Sequence, residues 1–283
     1  MGESHRTGGA EPGAIRSAGR KRAAVPSEDL LIGERRRGIL ELLARHSRVT
    51  VQDLTRRFAV SAATIRTDLS ALAATGACER THGGALVCRD GEDHPIAVKR
   101  TLHHAEKLRI ARVAAALIGD GETIILEAGT TTAELAKQIR SLPLRALNVI
   151  TNALNIAVLL ADVPFVRLVV TGGELRPQSN AFSGYLAESI LDTLHADRMF
   201  LGADALDPDR GVMTPHLMEA QLAAKMLSIS RQVVVVADAS KLLRRNIRLV
   251  ARIEQIHMLI TDRAANPKAL AKLRRSGVDV VLA

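Results

Sequence analysis

The sequence predicts an α/β chain in two parts: a small helical unit closed by a β-hairpin, then a larger unit built on a mainly parallel sheet. Three observations predict it. Apolar residues at helical spacing run from Leu30 to Leu72, and past Gly76 the short Cys78–Cys88 stretch centres on a His-Gly-Gly turn. From Glu122 onward, short β-branched runs alternate with helical patterns, as in a parallel sheet covered on both faces. The 283 residues suffice for one large domain or two smaller ones, with a sizeable core.

Composition bounds the function. A formal net charge of +9 favours polyanionic partners, although alone it speaks only for solubility and non-specific attraction. Aromatic residues make up 2% of the chain, which argues against stacking single-stranded bases on aromatic platforms. No apolar run approaches a membrane span and the first residues lack the apolar core of a signal peptide, so a cytoplasmic protein without a membrane partner is expected. Cys78 and Cys88 are too few for a disulfide framework or a four-ligand zinc site. Being symmetric about Gly83, they could face each other across the hairpin, but packed, reduced thiols are the expectation. His103 and His104 are adjacent rather than one helical turn apart, so no metal site or cofactor is indicated.

Residues 1–29, rich in Gly, Ser, Pro and Ala with a basic run at Arg20-Lys21-Arg22, are expected to be a disordered basic tail. Residues 30–88 form the first unit. Ile39, Leu40, Leu42 and Leu43 make the apolar face of one helix. Thr50 to Asp53 has the form of a capping box and opens a short helix holding Val51, Leu54 and Phe58. Ala59-Val60 turns tightly into Ser61, a good N-cap for a third helix whose core stripe is Ile65, Leu69 and Leu72. Two helices joined so closely follow the helix-turn-helix plan, and strands at Cys78–Thr81 and Ala85–Cys88 would make the wing of a winged helix. The outer face of the third helix carries Ala63, Arg66, Thr67 and Ser70, small or hydrogen-bonding groups that let a helix sit deep in a major groove. Arg80 and His82 would lie beside the wing tip, near phosphates or the minor groove. The candidate DNA-contacting set is Ser61, Ala63, Thr64, Arg66, Thr67, Ser70, Arg80, His82 and Gly83. An ordinary amphipathic surface helix would show the same stripe; its neighbours on both sides favour recognition.

Residues 89–283, opening with a charged linker from Arg89 to Pro95, form the second unit. Strands are expected at 122–126, 147–150, 165–170, 198–201, 232–237, 257–260 and 278–282. Helices are expected to end at Ile118 and to span 130–139, 153–160, 219–229 and 267–275, the last capped by Asn266. The strongest chemical signal is Glu127-Ala-Gly-Thr-Thr-Thr132, where a strand ends, Gly129 permits an unusual turn, and Thr130, Thr131 and Thr132 open a helix. Free N–H groups and hydroxyls there would suit a phosphate, although a capped helix start with surplus threonines reads the same. The Walker A signature is absent. Thr151-Asn152, Thr171-Gly172-Gly173-Glu174, Gly202-Ala203-Asp204 and Asp238 to Lys241 follow later strands. Together such turns suit a polar molecule bearing a phosphate and several hydroxyls, at the carboxyl ends of the strands.

Glu34 to Leu86 resembles the N-terminal domain of the DeoR family of bacterial transcriptional regulators. It keeps Ile39-Leu40, Val49, Val51, Leu54, Phe58, Val60-Ser61, Thr64-Ile65-Arg66, Asp68-Leu69, Leu72, Gly76, Arg80 and His82-Gly83-Gly84-Ala85 of that pattern. It departs at Thr67, where a second Arg is usual, and at Thr55, usually Ala. Asp68 beside the core stripe is given a structural role, pairing with an arginine of the first helix. Lys107 to about Asp262 is similar to the family's sensor domain, a fold similar to ribose-5-phosphate isomerase, which implies a phosphorylated sugar as effector. The resemblance assigns the effector site to Glu127, Gly129, Thr130, Thr131, Thr132, Asn152, Gly172, Gly173, Asp204, His216, Glu219, Asp238 and Lys241. Glu127 stands where Asp is usual, Ala205 for Gly, Leu242 for Phe and His216 for a frequent Asn. The implied function is a ligand-responsive repressor of a sugar operon, acting on double-stranded operator DNA as a homodimer or homotetramer. Two alternatives are a sugar-phosphate isomerase using His216, Glu219 and Asp204 as an acid/base set, and a DNA binder without effector.

Overall fold

The computed structural model describes residues 32–46, 48–74, 77–86 and 95–283. The expected tail, the helix stop at Gly76, Cys88 and linker residues 89–94 lie outside the described residues.

The first unit runs α1 (Ile32–His46), β1 (Arg48–Thr50), α2 (Val51–Phe58), α3 (Ala62–Ala74), β2 (Glu79–Thr81) and β3 (Gly84–Leu86). Its core joins Ile39 and Leu43 of α1, Leu54 and Phe58 of α2, and Ile65, Leu69 and Leu72 of α3. The Thr50 hydroxyl caps α2 by accepting the Asp53 N–H at 3.1 Å, as its sequence form predicted. Ala59 then takes a left-handed conformation, φ 49°, which ends α2 and swings the chain into α3. The wing is a three-stranded sheet in the order β1-β3-β2 rather than the two-stranded hairpin expected. Strand β1 escaped the sequence reading because three residues carry too little periodicity. Gly84 is where β3 crosses β1: a Cβ there would lie 1.9 Å from the Val49 carbonyl oxygen. Buried Asp68 accepts hydrogen bonds from Arg35 and Arg36 of α1, the structural pairing the sequence suggested.

The second unit is an α/β domain on a seven-stranded parallel sheet. Its strands are β4 (Thr123–Leu126), β5 (Leu147–Thr151), β6 (Val166–Val170), β9 (Ala196–Leu201), β12 (Ser230–Val236), β14 (Met258–Thr261) and β15 (Asp279–Leu282). All seven fall where β-branched runs predicted them, in the order β15-β14-β12-β9-β4-β5-β6. Alternate side chains enter two cores. Ile124 and Leu126 pack with helices α5 (His104–Ala115), α6 (Thr130–Ile139) and α7 (Leu154–Leu160). Ile125 packs with α8 (Tyr185–Ser189), α9 (Leu217–Ser228) and α10 (Pro267–Arg275) on the opposite face. Helix α5 ends at Ala115, short of the expected Ile118, as Gly119 and Gly121 approach.

Four pieces were not anticipated. They are helix α4 (Ile96–Thr101), helix α8, the hairpin β7 (Glu174–Arg176)–β8 (Ala181–Ser183), and an antiparallel sheet of β10 (Ala205–Asp207), β11 (Gly211–Thr214) and β13 (Arg248–Ala251). Strand β4 pairs with β5 on one side and β9 on the other, so the chain order reverses between β4 and β9. Loops leaving their carboxyl ends diverge and open a crevice, the usual ligand position in such sheets. Among the described residues no helix is long and apolar enough to cross a membrane.

Candidate functional site

Two surfaces carry the candidate residues. The first is the outer face of α3 with the wing. Ala63, Arg66, Thr67, Ser70, Arg80, His82 and Gly83 are all exposed there, and Thr64 is half-buried. Ser61 is exposed, but its hydroxyl caps α3 by accepting the Thr64 N–H at 3.1 Å, so its first task is structural. The Thr67 and Ser70 hydroxyls donate to the carbonyls of Ala63 and Arg66, at 3.1 and 2.8 Å. They therefore face outward as acceptors. Arg80 donates to the Ser70 hydroxyl at 2.6 Å, tying the wing to α3 and bringing a second guanidinium beside the helix. The buried side of α3 holds Ile65, Leu69 and Asp68, so Arg66 is the cation on its free face.

The second surface is a pocket at the carboxyl ends of β4, β9 and β12, with about 810 Å³ of empty space, part of it open to solvent. Glu127, Gly129, Thr130, Thr131, Asp204, Glu219, Asp238 and Lys241 line it. Helix α6 begins at the pocket with Gly129 as N-cap and no side-chain cap, so its first-turn N–H groups face the space. Gly129 itself is extended, φ −178°, which any residue adopts; the unusual turn expected there is not formed. What keeps that position small is the Thr132 hydroxyl, 3.0 Å from where a Cβ would stand.

Acids and lysines face one another across the pocket. Asp204 takes the Lys99 ammonium on Oδ1 at 2.9 Å and the Thr214 hydroxyl on Oδ2 at 3.0 Å. Burial pushes its pKa up, but Lys99, Lys241 and these hydrogen bonds together hold it below the ordinary carboxylate value. Glu219 accepts from Arg176 at 3.2 Å and from Ser179 at 2.6 Å. Burial, reinforced by the charges of Glu219 and Asp204, raises Glu127 well above the usual range. Lys107 is lowered to about 8 by burial, which outweighs the attraction of Asp238. Burial also lowers Lys241, against the pull of Asp238 and Asp204. Asp238 caps a short 3-10 turn by accepting the Ser240 N–H at 3.1 Å.

Five expected site residues do not line the pocket. Thr132 is fully buried and bonds back to the Gly129 carbonyl at 3.1 Å, because it sits one turn inside α6. Asn152 accepts the Ala128 N–H at 2.9 Å, bracing the loop from behind. Gly172 and Gly173 take positive φ at the end of β6, and a Cβ on Gly173 would meet the Ser183 carbonyl oxygen at 2.5 Å. His216 is the N-cap position of α9 and does not line the pocket. Among the described residues no cluster of His, Cys, Asp and Glu suits a metal ion.

Residues 35–90 match the model of the DeoR-like helix-turn-helix domain, and residues 102–263 match that of the DeoR C-terminal sensor domain. The chain belongs to the DeoR family. A putative aga operon transcriptional repressor of Escherichia coli O157:H7 is 38% identical over 88% of this chain and 93% of its own. The transcriptional repressor AccR of Agrobacterium fabrum is 37% identical over 81% of this chain and 89% of its own. A solved ribose 5-phosphate isomerase A from Methanocaldococcus jannaschii covers 50% of this chain and 55% of that one at 22% identity. Its TM-score of 0.38 is too low to bear on activity. With regulators as its relatives, this DeoR-family chain is a DNA-binding regulator and not an enzyme, which removes the isomerase alternative.

The family pattern led to the loops after strands but not to what closes the pocket from outside them. Lys99 of α4, Lys107 of α5, Thr214 of β11 and Ser179 between β7 and β8 all line it. Lys99, Ser179 and Thr214 come from pieces the sequence did not announce, whereas Lys107 lies on the helix expected to end near Ile118 and was given no role there.

Proposed function

We propose that this DeoR-family regulator represses an operon of carbohydrate catabolism and changes its operator affinity when a phosphorylated sugar occupies the pocket. The observation that carries the reading is the start of α6: a helix N-terminus without a side-chain cap, lined by Thr130 and Thr131, at the β4–β9 reversal. The phosphate takes the free N–H groups there, and the sugar hydroxyls reach Asp204 and Glu219. One relative is named as a putative aga operon transcriptional repressor, which supports the reading as an operon repressor. Double-stranded DNA is met by α3 in the major groove, with Arg80 and His82 on the backbone. In this reading residues 1–29 are a basic tail, 30–88 the DNA-binding domain and 89–283 the sensor with its linker. The protein works in the cytoplasm as a homodimer or homotetramer, which places two α3 helices on one face of the operator.

The test titrates hexose, amino-hexose and pentose phosphates, and the matching free sugars, into the protein–operator complex. One phosphorylated sugar should shift operator affinity while its free counterpart does not. Thr131→Val should keep operator binding and lose the response, since a methyl cannot donate to phosphate. Equal response to both sugar forms, or an unaltered response in Thr131→Val, defeats the assignment.

A further inference from the structure

Helix α4 belongs to both units at once. Val98 is buried in the core of the first unit, beside α1, and Leu102 just past the helix end packs against the same core. Ile96 and Lys99, on another face, line the effector pocket. Hydrogen bonds hold α4 to the second unit. The Ile96 N–H donates to the Gln178 carbonyl at 2.7 Å, beside the turn that supplies Ser179. The Lys107 ammonium donates to the Leu102 carbonyl at 2.7 Å and to the Lys99 carbonyl, tying down the end of α4. The Lys99 ammonium donates to Asp204 Oδ1 at 2.9 Å. Of these contacts, only the last is accepted by a side chain that the proposed effector also needs, the Asp204 carboxylate.

We propose that the Lys99–Asp204 ion pair is the latch through which the pocket reports to the DNA-binding unit, with α4 as the moving part. The proposal rests on the phosphosugar reading for the identity of the trigger. Thr214 donates to Oδ2 and Lys99 to Oδ1 of Asp204, so an incoming hydroxyl that bonds this carboxylate competes with the Lys99 ammonium for it. A ligand that takes Oδ1 releases Lys99. Val98 and Leu102 then carry the release into the core beneath α3, because a helix of six residues moves as one piece. The ligand shifts the arrangement by its differential affinity for the latched and released states. In this proposal the latched state is the operator-binding one.

The test uses the full chain without any ligand and compares wild type, Lys99→Met, Asp204→Asn, the double variant and Lys99→Arg. Operator affinity is measured at fixed salt, and amide exchange is followed over residues 96–101. Lys99→Met and Asp204→Asn should each weaken operator binding roughly 10-fold, the middle of the usual range for coupling between sites, and speed exchange in α4. The double variant should be no weaker than the weaker single, since both changes open one contact. Lys99→Arg should keep wild-type affinity. Unchanged or tighter operator binding in both single variants, or losses that multiply in the double variant, would overturn the latch. Circular dichroism of each variant guards against unfolding, and Asp204→Asn, close in shape to the native residue, decides the matter where Lys99→Met does not fold. Because no ligand is present, the latch stands or falls on these measurements even if wild type ignores every sugar phosphate, the result that would end the phosphosugar reading.

Discussion

Asp68, on the inner side of the recognition helix, shares its carboxylate between two arginines of α1: Arg35 Nε reaches Oδ2 at 2.6 Å and Arg36 Nε reaches Oδ1 at 2.9 Å. The carboxylate is 2% exposed and the Arg35 side chain 9%. Removing one partner of a buried pair leaves the other charged and without solvent, which costs about 3–5 kcal/mol in comparable sites. Asp68→Ala should therefore lower the stability of the DNA-binding unit by that order and leave the sensor pocket intact. Urea unfolding followed by amide exchange in α1 and α3, against exchange in β4 and β9, separates the two units. Because Asp68 faces inward, operator affinity in mild conditions should stay near wild type while the unit remains folded. A direct loss of affinity in folded protein would place Asp68 on the DNA instead.

Arg66 and Arg80 lie on the same surface but should fail differently. Arg66 projects from the outer face of α3 between Ala63 and Ser70, where it can reach base edges. Arg66→Ala should weaken binding to the specific operator by about 1–3 kcal/mol and non-specific DNA much less. Arg80 leans across to Ser70 from strand β2. Arg80→Ala should weaken all sequences alike and flatten the salt dependence by about one unit, the signature of a lost phosphate contact. Affinities over a range of salt, on operator and scrambled DNA, distinguish the two. A sequence-selective loss at Arg80 would reverse its assignment.

The parts of the fold legible in sequence were those with long, regular patterns. The seven parallel strands are buried on both faces, so each is a run such as Ile124-Ile125-Leu126 or Val233 to Val236 that has little other use. The helix-turn-helix declared itself through caps at Thr50 and Ser61, and Asp68 through its place beside the core stripe. The pieces that went unseen are short and take their conformation from what they pack on. Helix α4 has six residues, with Val98 committed to one core and Lys99 to the pocket, so no single amphipathic face exists to detect. The same holds for the small antiparallel sheet: β10 and β11 pair locally over three residues, and β13 joins β11 from more than 30 residues away, as Val212 with Ala251. The candidate site was legible where a loop follows a strand. It was not legible for Asn152 and Thr132, whose polar groups serve the backbone of the loop between β4 and α6 rather than the pocket.

Lys107 yields a prediction in pH. It is 3% exposed and its ammonium donates to the carbonyls of Lys99 and Leu102 at the end of α4. Burial lowers its pKa from 10.5 to about 8, so the folded chain gives up this proton before the unfolded chain does. Below about 8 both states hold the proton and the contribution to stability is flat. Between about 8 and 10.5 the unfolded chain binds the extra proton, and the stability contributed by this residue rises with pH. The whole rise is on the order of 3 kcal/mol at most, since each pKa step is worth about 1.4 kcal/mol. The unfolding free energy of wild type minus that of Lys107→Met should therefore climb between pH 7.5 and 10, while groups common to both proteins cancel. Effector binding should run the opposite way. As Lys107 loses its charge the pocket loses a cation, and an anionic ligand should bind more weakly above pH 8 in wild type than in Lys107→Arg, which stays charged. A stability difference that is flat or falling over this range would show that Lys107 keeps its proton in the folded protein.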